Sequence, residues 1–241
     1  MNTPRNRVLV TGGSAGIGAS VCRLLDEAGW QVLNFDIHSP VDAAPCEWTR
    51  VDMADQDSLA RALQTAIAQG PLLGLVNNVA AIRPAALEDT RLADFDWQVG
   101  VGARSALQCA QALVPAMRAA GRGRIVNVTS RAALGKELRS GYSAAKGALN
   151  ALTRTWALEL GAAGITVNAV APGPINTEAF AAANPADSPR TRQILEGIPV
   201  RRLGTPDDVA RAVAFFMGEN NAFITGQVLH VCGGITVGLS Q

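Results

Sequence analysis

A chain of 241 residues, 48% of them hydrophobic and 17% charged, can bury one sizeable core and is too apolar for a disordered or fibrous protein. A net charge of +1, with no Lys/Arg cluster among the apolar segments, lacks the footprint of a nucleic-acid binder and excludes DNA and RNA as expected partners. The opening MNTPRNRVLVTGG holds an apolar run too short for a signal peptide or a membrane span, so the reading is a cytoplasmic protein with no membrane partner. Cys22, Cys46, Cys109 and Cys232 form no C-x-x-C pair, which points to free, mostly buried thiols and to no metal.

In chain order, RVLVTG reads as a first strand, and GIGASVCRLLDEAG, with apolar residues at helical spacing and a closing Gly29, as the helix after it. WQVLNFD is a second strand ending on Asp36, and DQDSLARALQTAIAQG a second helix. LLGLVNN, RIVNVTS, ITVNAVAPG and GQVLHVCGG continue the strands, with WQVGVGARSALQCAQALVP among the helical stretches between them. The alternation signals βαβ units, and strands apolar on successive residues require helices on both faces. The expected fold is therefore α/β: a Rossmann-like, doubly wound parallel sheet in a single domain over residues 1–241, with ligands beyond the carboxyl ends of its strands. NTEAFAAANPADSPRTRQ, rich in Pro, Asn, Asp and Ser, reads as a mobile excursion near 178–200, of the kind that serves as a substrate lid.

TGGSAGIG, residues 11–18, fits two incompatible motifs. Gly12 to Gly16 matches G-x-S-x-G, which would make Ser14 a nucleophile. That role needs a reachable histidine, but His38 follows too closely and His230 lies within the last expected strand. The alternative is a glycine turn that admits a phosphate to backbone amides at the start of a helix. Its context agrees: a strand precedes it, a helix follows, and Asp36 stands where an acid accepts hydrogen bonds from an adenosine ribose.

Tyr142 is the only tyrosine, and Lys146, four residues on, shares its helix face, so the ammonium is expected to favour the phenolate by Coulomb attraction. Tyr142 could then take a hydroxyl proton as hydride leaves, or return it. Ser130, at a strand's carboxyl end, is placed to hydrogen-bond the substrate oxygen, with Thr129 as the weaker candidate.

The spacing G-x-x-x-G-x-G, NNVA at 77–80, YSAAK at 142–146 and PGPINT at 172–177 together resemble the short-chain dehydrogenase/reductase family along the whole chain. The resemblance implies NAD contacts from Gly12, Ser14, Gly16, Ile17 and Gly18 of the loop, and from Asp36 at the ribose. Asp52, which could instead cap a helix, and Met53 would lie by the adenine. Asn78, Val79, Ala80, Tyr142 and Lys146 would follow, with Pro172, Gly173, Ile175 and Thr177 toward the nicotinamide. It also implies a homotetramer. One departure stands out: Gly102 occupies the place of the family's Asn, which helps hold a water that relays protons from the lysine.

Asp36 favours NAD, because a carboxylate would repel the 2′-phosphate of NADP and neither Ile37 nor His38 offers a fixed cation. The expected activity is NAD(H)-dependent interconversion of a secondary alcohol and a ketone. Alternatives are a 3-oxoacyl-carrier-protein reductase-like enzyme and a non-catalytic NAD-binding interaction protein, the latter hinted at by Gly102. Arg131, Lys136 and Arg139 could meet an acidic substrate or merely be solvated.

Overall fold

The computed structural model describes residues 5–40 and 45–237. Its strands are β1 Arg7–Thr11, β2 Gln31–Asp36, β3 Glu47–Arg50, β4 Leu72–Asn77, β5 Gly123–Val128, β6 Ile165–Pro172 and β7 Val228–Val231. Its helices are α1 Gly16–Glu27, α2 Gln56–Ala68, α3 Leu92–Val99, α4 Ser105–Ala119, α5 Ser140–Leu160, α6 Glu178–Ala183, α7 Pro189–Glu196 and α8 Pro206–Met217. The strands form one parallel sheet in the order β3-β2-β1-β4-β5-β6-β7.

The central strand β1 shows why its sequence is apolar on successive residues. Val8 and Val10 pack with Val21 and Leu25 of α1 and Val209 and Val213 of α8. Leu9 points the other way, into a layer with Leu59 and Leu63 of α2, Leu113 of α4 and Leu160 of α5. Both faces are covered, so neither set can be polar.

The strand order reverses at β1, whose neighbours are β2 and β4, and the crevice beyond such a reversal is where open α/β sheets bind ligands. The register aligns Thr11 with Phe35 and Asn77, and Asn77 with Asn127. This brings the glycine loop, Asp36, Asn78 and the Ser130 turn to one edge of the sheet.

Three local features differ from expectation. The edge strand β3, EWTR, is exposed at all four positions, so no apolar pattern marks it in the sequence. The excursion near 178–200 contains α6 and α7, and its turn-forming residues act as caps: Thr177 accepts from the Phe180 amide, and Ser188 from Thr191 ahead of Pro189. Finally, the helix over WQVGVGARSALQCAQALVP is interrupted by a π-helical segment, Gly100–Arg104, after which the Ser105 hydroxyl donates to Val101 O at 2.6 Å. The cysteines are free, with Cys22, Cys109 and Cys232 buried and Cys46 partly so.

Candidate active site

The glycine loop is closed by its own backbone. Gly16 has φ +52°, a region side chains disfavour, and a Cβ on Gly18 would lie 1.9 Å from the Gly12 carbonyl oxygen. Helix α1 begins here with no side-chain cap and no acid in its first turn, whereas α2 is capped by Asp55 and α8 carries a complete Thr205/Asp208 capping box. The first amides of α1 are thus left for an anion, and the glycines let it approach: the loop fits a dinucleotide pyrophosphate.

Ser14 is buried, and its hydroxyl donates to His38 O at 2.6 Å while accepting from Asn34 Nδ2 at 3.0 Å. That hydroxyl is a brace, and His230 lies on β7, four strands away from β1, so the nucleophile reading has no base. The Ser14 and His38 amides donate to the two carboxylate oxygens of Asp36, at 3.0 and 3.1 Å. Each oxygen retains a lone pair for a further donor such as a ribose hydroxyl.

Asn78 ties β4 to the loop, its Nδ2 donating to Thr11 O and Gly12 O at 3.1 and 2.8 Å. The Val79 Cα lies 3.1 Å from where a Gly12 Cβ would stand, and Ala80 is exposed beyond it. Asp52 accepts from the Ala54 amide at 2.8 Å, and the cap of α2 is Asp55, so the helix-capping alternative falls to that residue. Met53 and Ile175 are 5% exposed, which leaves mainly their backbone to meet a ligand. Pro172 ends β6, Gly173 packs on Cys232, and Thr177 comes to Gly16, whose Cβ would meet its Cγ2 at 3.3 Å.

On the other side of the crevice, Ser130 caps a short turn at Arg131–Leu134, its Oγ accepting from the Ala132 amide at 3.1 Å, and stands within hydrogen-bonding reach of Tyr142. Thr129 is buried with its hydroxyl on Val170 O, so the choice between the two falls to Ser130. Lys146 is 2% exposed, and its Nζ donates to Val128 O at 2.7 Å and lies 5.9 Å from the Tyr142 ring centre.

Burial pushes the Lys146 ammonium down to about 7. It also raises Tyr142 above the ordinary phenol value, against the opposing pull of the Ser130 hydrogen bond and the Arg139 cation. Arg139 is thus a further cation acting on the phenol, beside the Lys146 ammonium 5.9 Å from its ring centre.

A buried polar string escaped the sequence reading. Asn77 Nδ2 donates to Asn127 Oδ1, Asn127 Nδ2 to Thr153 Oγ1, and Thr153 to Leu149 O, at 2.8, 2.9 and 2.7 Å. It fastens α5, which carries Tyr142 and Lys146, to β4 and β5. Its signal was an asparagine inside each of two otherwise apolar strand runs.

A family model described as enoyl-(acyl carrier protein) reductase matches residues 12–236. Two relatives match along nearly the whole chain. The BbsD subunit of (2S)-[(R)-hydroxy(phenyl)methyl]succinyl-CoA dehydrogenase from Thauera aromatica is 38% identical, with 95% of this chain and 96% of that protein covered. Cis-4-hydroxycyclohexanecarboxylate dehydrogenase from Sinomonas cyclohexanicum is 37% identical, with 95% of each covered. The chain belongs to the short-chain dehydrogenase/reductase family.

Short-chain dehydrogenase/reductases are oxidoreductases of CH–OH and keto groups, and the fold agrees with a solved member. The structure of a Beutenbergia cavernae protein, described as an NAD(P)-dependent gluconate 5-dehydrogenase with NADP at low occupancy, superimposes with a TM-score of 0.90 at 32% identity, covering 97% of both chains. Against the short-chain dehydrogenase/reductase pattern, Gly102 stands out again. It is buried in the π-helical segment, and a Cβ there would lie 2.9 Å from Cβ of Ala145, the neighbour of Lys146. The missing side chain is therefore also a packing requirement of the seam with α5. Among the described residues no helix is long and apolar enough to cross a membrane.

Proposed function

We propose that the protein is an NAD(H)-dependent dehydrogenase interconverting a secondary alcohol and its ketone. The observation that carries this reading is the grouping of Ser130, Tyr142 and Lys146 across the crevice from an uncapped helix start that Ser14 links to Asp36. When bound, the nicotinamide supplies the hydride acceptor or donor. Ser130 holds the substrate oxygen, and Tyr142, kept protonated at rest by burial, exchanges the hydroxyl proton with it. Lys146, with its pKa brought to about 7, changes charge near neutral pH and passes the proton on. Gly102 offers this relay only a backbone carbonyl, which makes it slower or differently routed than in relatives with an asparagine there.

Asp36 supports NAD over NADP by charge, and the two dehydrogenase relatives support an alcohol as substrate. Leu158, Phe215 and Phe223 are exposed, and His230 Nε2 on the edge strand β7 is buried without a partner, all of which favours burial in a homotetramer. Light scattering that returns a monomer sinks that part.

The activity is tested by screening secondary alcohols and ketones with both nicotinamide cofactors. NAD-linked turnover is the expected result. Turnover confined to an acylated carrier protein with NADPH would replace this reading with the reductase alternative, and NADH binding without turnover of any substrate with the non-catalytic one.

A further inference from the structure

Helix α3 buries one residue, and that residue is polar: Gln98 is 2% exposed. A buried amide costs stability unless its oxygen and nitrogen are both satisfied, and a leucine or methionine would fill such a place without that demand. What the amide gains is a hold on the backbone to either side of it. Its Oε1 accepts from the Arg83 amide at 2.9 Å, while its Nε2 donates to Asp94 O at 3.0 Å, one turn back in α3. The same Nε2 lies against Gly141, the residue before Tyr142: a Cβ on Gly141 would stand 2.6 Å from it and 3.0 Å from the Gln98 Cδ.

Arg83 belongs to the segment 78–86, which forms neither helix nor strand and begins at Asn78 on the glycine loop. The Arg83 side chain is clamped to α3, its guanidinium paired with Asp94 and 4.2 Å from the Trp97 ring centre. Two residues on, the Ala85 amide donates at 3.3 Å to Leu138 O, in the turn that leads into α5. The segment thus runs from the cofactor loop to the catalytic helix, and Gln98 bonds its middle while touching the first turn of that helix.

We propose that Gln98 is a positioning residue: by tying residues 78–85 and the start of α5 to one amide, it sets the place of Tyr142 relative to the cofactor side of the crevice. Being buried, it acts through Arg83 and Gly141 and not on the substrate. Its effect on turnover rests on the dehydrogenase reading; the placing of the phenol does not.

Tyr142 is the only tyrosine, so protein grown with 3-fluorotyrosine gives a single fluorine resonance that reports on the phenol without any substrate. Gln98→Met keeps an unbranched side chain and removes both hydrogen bonds. In that variant the resonance should move and broaden, and kcat on the alcohol identified by the screen above should fall on the order of ten- to a hundredfold, with NADH affinity retained. Gln98→Glu supplies a carboxyl whose pKa burial raises, its charged neighbours Arg83 and Asp94 being already paired with each other. Protonated, it accepts and donates as the amide does; ionised, it can only accept, and it faces the Asp94 carbonyl. Compared with wild type at each pH, its resonance and kcat should approach the wild-type values as pH falls and depart from them as pH rises. Leu63→Val, which thins the core under α2, lowers stability without touching this contact and should leave both readouts unchanged.

A Gln98→Met protein with wild-type resonance and kcat, altered only in melting temperature as Leu63→Val is, overturns the proposal. Should Gln98→Met not fold, a Gln98→Glu protein that follows wild type in both readouts at every pH overturns it equally. Absence of NAD-linked turnover in the wild type instead removes the dehydrogenase reading, and the resonance alone then decides on Gln98.

Discussion

The two walls of the crevice are built on opposite principles. On the cofactor wall nearly every polar side chain is engaged: Ser14 holds His38 and Asn34, Asn78 holds the glycine loop, and Asp36 gathers two amides. On the other wall Arg131, Lys136 and Arg139 lie on the segment after Ser130 without ion pairs among the described residues, and Leu138 there has φ +59°. A pre-organised wall loses little entropy on binding and suits a ligand that many proteins share; a frustrated wall is completed by its ligand and suits a particular one. The difference teaches where to look for specificity.

The sharpest break of this comparison is at Tyr142, between the walls. Tyr142→Phe should lower kcat on the order of 10²–10⁴-fold with NADH affinity retained; comparable turnover would remove the phenol from the chemistry. Gly102→Asn should destabilise the protein by about 1–3 kcal/mol by overpacking against Ala145 and should alter the pH profile of turnover. Adding Ala145→Gly should recover the stability but not the profile, and an unchanged turnover and profile in both proteins would end the relay idea.

On the cofactor wall, Asp36→Ala should narrow the preference for NAD on the order of tenfold, since it removes one repulsive charge near the 2′ position. A cofactor ratio that does not move takes Asp36 out of the account. Lys146→Met probes the cost of burying a charge. With a folded pKa of about 7 against an ordinary 10.5, the unfolded chain binds the extra proton between those values, so wild-type stability rises with pH from about 7 to about 10.5. Urea midpoints should show the wild type gaining on the variant over that window, and parallel curves would contradict the shift. The smallest effect is expected far from either wall: Thr205→Ala, which breaks the α8 capping box, should cost about 1 kcal/mol in thermal unfolding with kinetics unaffected.

The sheet was legible because burial on both faces writes apolar runs at Val8–Val10 and Leu72–Val76, and the cofactor wall because close backbone approach demands glycine at named spacings. Tyr142 and Lys146 were legible from their four-residue spacing, but the field around them was not. That Arg139 also pulls the phenol toward ionisation depends on where a loop carries its guanidinium. The π-helical segment and β3 were likewise hidden, one by glycines that fit ordinary helix spacing poorly and one by an all-exposed strand.

The central claim is that an uncapped helix start and Asp36 together form a site for NAD. Its most direct test is a thermal-melt titration of the purified protein with NADH and NADPH side by side, because a ligand of the folded state alone raises apparent stability by about 2.7 kcal/mol at one hundred times its Kd. The account predicts a saturable rise of several degrees with NADH at concentrations where NADPH gives less, and loss of that difference in Asp36→Ala. A larger rise with NADPH would contradict the role given to Asp36, and no rise with either would contradict the nucleotide site itself.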